Sequence, residues 1–248
     1  MIEIEGLTKH YGSFAAVTEL SFCVGERQVL GLVGPNGAGK TTTLRCLVGI
    51  IPPSAGEIRI CGHSLRSEPL AAKQQIAFMP DEPRLFDYLT VREHLQFTAR
   101  IYGARDFQRN AEALLEELEL KDKADSLPSE LSRGMKQKLV IACGLLHSPR
   151  VLMFDEPLTG LDPIGIRRMK STIKRRAREG AAIIISSHLL HLVEELCDRV
   201  LILNQGRCVV QGSLEEISKS LPEMRGDANL EEMFLRITGH AEERSEDA

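Results

Sequence analysis

The segment Gly34-Pro35-Asn36-Gly37-Ala38-Gly39-Lys40-Thr41-Thr42 has the residue types and spacing needed to bind phosphate. It fits G-x-x-x-x-G-K-[ST] at every fixed position. Glycines let the backbone curl until successive N–H groups point at one centre, where anionic oxygens can sit. The Lys40 ammonium can reach β- and γ-phosphates, and the Thr41 hydroxyl can ligand Mg²⁺. A pair of acids, Asp155-Glu156, closes the apolar run Val151-Leu152-Met153-Phe154. Two carboxylates at the end of a buried strand suit a division of labour. Asp155 is placed to hold Mg²⁺, directly or through water, and Glu156 to polarise a water for attack on a γ-phosphate. Alone, such a pair reads equally well as two solvent-facing acids; beside a phosphate loop the chemical reading gains weight. Ser186-Ser187-His188 follows another apolar run, so His188 is either a sensor of the phosphate or a structural histidine. His191 lies close in sequence, but two histidines without a third ligand make a poor metal site.

These groups need elements to deliver them. Val29-Leu30-Gly31-Leu32-Val33 reads as a buried strand entering the phosphate loop, and Thr41 to about Ile50 as a helix leaving it. The helix N-terminus adds partial positive charge where the phosphate would sit. Further strands are expected at 2–5, 17–24, 28–33, 57–60, 75–79, 150–154, 181–186, 199–203 and 207–211. Strands alternating with helical patterns argue for a mainly parallel α/β sheet. The first few are closely spaced around turn residues such as Gly12-Ser13 and Gly25-Glu26, which suggests an antiparallel patch at one edge. From Val91 to Ser148 no strand is expected; Val91–Ile101, Phe107–Leu120 and Ser132–Leu146 carry helical spacing, and Asp87 to Thr90 reads as a helix start. The fold class is therefore α/β, a phosphate-loop NTPase with a mainly parallel core, an antiparallel β edge and an inserted helical subdomain at about 87–148. Residues 1–220 form the expected nucleotide-binding domain. A C-terminal extension, 221–248, carries a weak helix at 229–237 and an acidic tail expected to be disordered.

Composition excludes several classes. The 248 residues are 43% hydrophobic and 27% charged, with a net charge of −4, so bulk charge does not mark a nucleic-acid binder. No apolar run approaches the roughly 20 residues that span a bilayer. Met1-Ile2-Glu3-Ile4-Glu5 lacks a signal peptide's basic head, so a cytoplasmic chain held at a membrane by another protein is expected. Cys23, Cys46, Cys61, Cys143, Cys197 and Cys208 form no C-x-x-C pair and read as reduced packing residues.

Taken in order, these motifs resemble the nucleotide-binding subunit of ABC transporters, over about residues 1–220. Leu131-Ser132-Arg133-Gly134-Met135 looks like the family's L-S-G-G-Q signature. The resemblance implies that Tyr11 stacks on adenine, that Gly160-Leu161-Asp162 couples two sites and that His188 is the switch histidine. It implies ATP and Mg²⁺ as ligands, a second ATPase subunit and an integral membrane permease as partners. ATP would lie between the phosphate loop of one subunit and Ser132 and Gly134 of the other, with hydrolysis loosening the pair. The sequence departs from the pattern in two places. Arg133 and Met135 replace Gly and Gln in the signature, and Arg133 is expected on a solvated face outside the site. Asp81 stands where the family usually has Gln; it can ligand Mg²⁺ but cannot donate a hydrogen bond when ionised, and Glu82 is a neighbouring substitute. Asp81-Glu82-Pro83, Leu85-Phe86-Asp87-Tyr88-Leu89-Thr90 and the run Leu131 to Lys138 resemble the ABC-2 type exporter branch.

Three other features have plainer readings. The cluster Arg167, Arg168, Lys170, Lys174, Arg175, Arg176 and Arg178, and the run Glu116-Glu117-Glu119, both read as solvated helix faces. Phe86, Tyr88 and Leu89 are either core or an exposed dock for a membrane subunit. A soluble switch acting on ribosomes or nucleic acid is the rival function, but such family members carry two phosphate loops. A small-molecule kinase leaves the signature, Asp162 and His188 unexplained.

Overall fold

The computed structural model describes residues 1–104, 106–159, 161–220 and 230–238. Gly160 and the acidic tail anticipated as disordered lie outside the described residues.

The chain opens with a long hairpin, β1 (Ile2–Tyr11) and β2 (Phe14–Val24), turning at Gly12-Ser13. β3 (Val29–Val33) leads into the phosphate loop and α1 (Lys40–Leu47). β4 (Ala55–Ile60) and the short β5 (His63–Ser64) complete an antiparallel sheet in the order β2-β1-β4-β5. α2 (Pro69–Gln74) and β6 (Ile76–Met79) follow. Three helices then intervene before the next strand: α3 (Val91–Tyr102), α4 (Phe107–Glu117) and α5 (Arg133–Leu145). β7 (Val151–Asp155), α6 (Pro163–Arg178), β8 (Ala182–Ser186), α7 (Leu190–Leu196), β9 (Arg199–Asn204) and β10 (Arg207–Gly212) finish the core. α8 (Leu214–Ser220) and α9 (Leu230–Thr238) end the described chain.

The second sheet runs β10-β9-β3-β8-β7-β6, parallel except for β10. Every residue of β3, β7 and β8 is buried, which is why these strands read as unbroken apolar runs rather than alternating ones. Register aligns their carboxyl ends: Leu32 pairs with Ser186, Ser186 with Asp155, and Phe154 with Met79. The loops after β3, β6, β7 and β8 therefore leave the sheet together, at the edge where ligands of parallel sheets bind.

The helix start anticipated at Asp87–Thr90 is a reciprocal capping box. Thr90 Oγ1 accepts from the Glu93 N–H at 3.3 Å, and Glu93 Oε2 accepts from the Thr90 N–H at 2.8 Å. The helix anticipated over 107–120 stops at Glu117, and Glu119 has φ 56°. That break turns the acidic run towards α6. Arg175 and Thr172 both donate to Glu117, and Arg168 and Lys138 pair with Glu119. Lys170 and Lys174 pair with Glu195 on α7. Both faces are largely solvated, as read from the sequence, and they meet at two ion pairs, Arg175–Glu117 and Arg168–Glu119.

All six cysteines are free. Burial pushes the Cys46 and Cys143 thiols up to about 11, so both stay protonated. Cys23 is exposed, and packing does not account for it. Among the described residues no helix is long and apolar enough to cross a membrane.

Candidate active site

The loop between β3 and α1 is shaped by close backbone approach. A Cβ on Gly34 would lie 2.4 Å from the Leu203 carbonyl oxygen and 2.9 Å from Ala38 Cβ. Gly39 caps α1 at φ 103°, and a Cβ there would lie 2.5 Å from the Ala16 carbonyl oxygen. Walls from β9 and β2 thus leave room for glycine only. Asn36 and Gly37 at the loop's apex are exposed, whereas Pro35 is half-buried and Ala38 buried.

Lys40 folds back under the loop and is 9% exposed. Its ammonium donates to the carbonyls of Gly34 at 2.6 Å and Pro35 at 3.2 Å. Burial holds its pKa below the usual lysine range, against the raising influence of Glu156 and Asp155. A desolvated cation at the floor of a loop of exposed N–H groups is poised for an anion. Thr41, at the start of α1, directs its hydroxyl to Asp155 Oδ1 at 3.4 Å, and Thr42 is half-buried one residue on. Asp155 also accepts from the Ser186 hydroxyl and is itself buried. Hydroxyl and carboxylate oxygens side by side are the donor set of a hard divalent cation, so these residues fit Mg²⁺.

Glu156 has φ 51°, a strained backbone for a residue with a side chain. Its N–H donates to the Ser186 carbonyl at 3.0 Å, which fixes the turn. The carboxylate receives the Ser187 hydroxyl at 3.3 Å, and His188 Nδ1 lies 2.9 Å from Oε2. The acid is largely buried while the histidine is mostly exposed, so the pair spans from the sheet edge to solvent. Ser186 and Ser187 were not anticipated as site residues; their signal was two hydroxyls at the end of an apolar strand. A cavity of about 270 Å³ adjoins this edge, bounded by Pro35, Asn36, His188 and, from α9, Phe234.

Tyr11 stands at the tip of the β1–β2 hairpin, half exposed, with Lys9 Nζ 5.2 Å from its ring centroid. Phe14, its strand partner, is more exposed still and offers a second aromatic face that the sequence reading missed. β2 passes the phosphate loop at Ala16, so the hairpin tip projects from the same side.

Ser132 and Gly134 lie elsewhere. Ser132 caps α5, its Oγ accepting from the Met135 N–H at 3.2 Å. Among the described residues no hydrogen bond joins either one to residues 34–42. Asp162 caps α6, accepting from the Gly165 N–H at 2.7 Å. Arg133 is exposed on a solvated face, as anticipated, and its Nη2 also lies 3.6 Å from Asp81 Oδ1. Opposite charge draws it back across α5's first turn. One chain thus presents a phosphate cradle with two acids and a histidine, and, separately, a capped helix N-terminus open to an anion.

The family model described as ABC transporter matches residues 17–159. The chain is 32% identical to the ABC-type transporter ATP-binding protein EcsA of Bacillus subtilis, over 96% of each protein. It is 37% identical to the Nod factor export ATP-binding protein I of Ralstonia nicotianae, over 88% of this chain and 68% of that one. A solved ATP-binding subunit of an ABC transporter superposes with a TM-score of 0.91 at 34% identity, covering 96% of this chain and 99% of the other. With a phosphate loop, a strand-end acid pair and a signature helix in one α/β fold, this chain belongs to the ABC transporter family as its ATP-binding, ATP-hydrolysing subunit.

Proposed function

We propose that the chain powers a membrane exporter of the ABC-2 type by closing and opening a head-to-tail ATPase dimer, with itself or with a similar chain. The carrying observation is the convergence of Lys40, Thr41, Asp155, Glu156 and His188 at one sheet edge. ATP's phosphates lie along Gly34 to Thr42, with Lys40 exchanging its two carbonyl contacts for β- and γ-oxygens. Tyr11 stacks on the adenine. Thr41 and Asp155, with Asp81 from the neighbouring strand end, hold Mg²⁺, which when bound neutralises charge on the phosphates. Glu156 takes the proton of the attacking water, and His188 keeps that carboxylate oriented and supports the γ-phosphate. Ser132 and Gly134 of the other subunit close over the γ-phosphate with the N-terminal dipole of α5. Asp162 lies at the joint between the two sites.

The partner that carries cargo is an integral membrane permease, and the chain sits on the inner face of the membrane through it; nucleic acid is not a partner. Phe86 and Tyr88 support the docking reading. Both are exposed, and Phe86 borders a cavity of about 230 Å³ with His94, Phe97 and Tyr102. The relatives' role in export, as the Nod factor protein is described, supports the direction. The test is purification from native membranes in mild detergent. Recovery of a multi-span protein with ATPase activity supports the proposal; recovery only from the soluble fraction with ribosomes or nucleic acid rejects it.

A further inference from the structure

We infer that the Arg133–Asp81 ion pair links the two nucleotide sites of the assembled dimer, which rests on the head-to-tail reading above. Both residues depart from the family pattern, and the fold brings them together. Asp81 follows β6, whose last residue Met79 pairs with Phe154, so it leaves the sheet beside Asp155 and Glu156. It belongs to the chain's own nucleotide. Arg133 lies between Ser132 and Gly134, at the helix end that faces the other subunit's nucleotide.

Asp81 Oδ1 is shielded from solvent and has no hydrogen-bond donor, so Arg133 Nη2 at 3.6 Å is its compensating cation. A shielded carboxylate oxygen without a donor is costly, and a nearby guanidinium reduces that cost. The contact is braced one turn further along α5. Gln137, on the same helix face, is 3% exposed and donates Nε2 to the Pro80 carbonyl at 3.3 Å. Beyond it, Gly144 lets α5 lie directly on β6. A Cβ there would come within 3.0 Å of Met79 Sδ and 3.3 Å of Ala77 Cβ. The α5 helix therefore grips β6 and its exit at three levels. A shift of Asp81 towards its own nucleotide pulls Arg133, and with it the Ser132–Gly134 edge, along a short route. The covalent route runs through residues 82–131 and two other helices. Arg133 is a positioning residue: it acts through Asp81 on a helix end.

The test uses the full chain carrying Glu156→Gln, with ATP-driven dimerisation followed by sedimentation. Both side chains of the pair are partly solvated, which limits the effect to that of a surface ion pair. Arg133→Gln should raise the ATP concentration for half-dimerisation about 2- to 5-fold and flatten the ATP dependence. Arg133→Lys should recover most of both. In an Asp81→Asn background, Arg133→Gln should add nothing, because its route is already cut. An unchanged ATP requirement in Arg133→Gln, or its full effect persisting beside Asp81→Asn, overturns the inference and leaves the dimer reading intact. Absence of an ATP-driven dimer in Glu156→Gln alone overturns both.

Discussion

Substitution of Glu156 separates its chemical role from its conformational cost. At φ 51° a residue with a Cβ loses roughly 1–2 kcal/mol relative to glycine. Glycine gives back roughly 0.4–1 kcal/mol through the entropy of its unfolded chain. The net expectation is that Glu156→Gly is more stable than Glu156→Ala by about 1 kcal/mol, a melting temperature some ~2–4 °C higher for a chain of this size. Activity follows a different order. A positioned base contributes about 10²- to 10⁴-fold, or roughly 3–5 kcal/mol of barrier. Glu156→Gln preserves shape and can still accept from Ser187, yet it cannot take a proton. All three variants should lose at least ~100-fold in phosphate release. Nucleotide affinity should persist, since Lys40 and the glycine cradle are untouched. Scanning calorimetry on the Gly and Ala variants, with a phosphate-release assay on all three, reads both quantities. Undiminished turnover in Glu156→Gln refutes the base assignment. A melting temperature for Glu156→Ala equal to or above that of Glu156→Gly refutes the strain.

Gly34→Ala should lower stability by about 1–3 kcal/mol and abolish ATP binding, because its Cβ meets the Leu203 backbone, which cannot rotate away; thermal melting and nucleotide titration check both. Lys40 has its pKa lowered by burial and binds phosphate only when charged. ATP affinity should therefore fall as pH rises through that lowered value, with proton uptake on binding, and calorimetry in buffers of different ionisation enthalpy would detect the uptake. For Glu117, burial favours the neutral acid, but hydrogen bonds from Arg175 and Thr172 outweigh it and hold the pKa below 4.5. A depressed acid stabilises above its unfolded pKa and loses that contribution as pH falls through the folded value. Glu117→Gln should cost about 1 kcal/mol at pH 7 and nothing well below pH 4, read by urea melts at the two pH values. Tyr88→Ser should leave hydrolysis by the isolated chain unchanged while reducing recovery of the membrane partner; equal recovery would move the dock elsewhere.

Much of this was legible in the order of the residues. Gly34–Thr42 is a local device: its shape follows from glycine placement between a strand and a helix, and both neighbours announce themselves by continuous apolar runs. The acid pair was readable for the same reason, since Val151–Phe154 is buried on both faces and must end where polar residues begin. Thr90 and Glu93 share one helical turn, so their capping box needed no tertiary knowledge.

What the tertiary structure alone decided are the pairings between distant segments. The reach of Thr41 to Asp155, the hydroxyls of Ser186 and Ser187 on the two acids, and the meeting of Glu117 and Glu119 with Arg175 and Arg168 of α6 depend on strand order and helix packing. Local propensity carries no record of either. Arg133 is the clearest case. By sequence it is a long cation at an exposed helix start, for which solvent is the default partner. Only when α5 lies against β6, permitted by the missing side chain of Gly144, does a shielded carboxylate 52 positions away come within its reach. Short-range rules specify what each residue can do, and the register of a parallel sheet, set by burial over its whole width, specifies with whom.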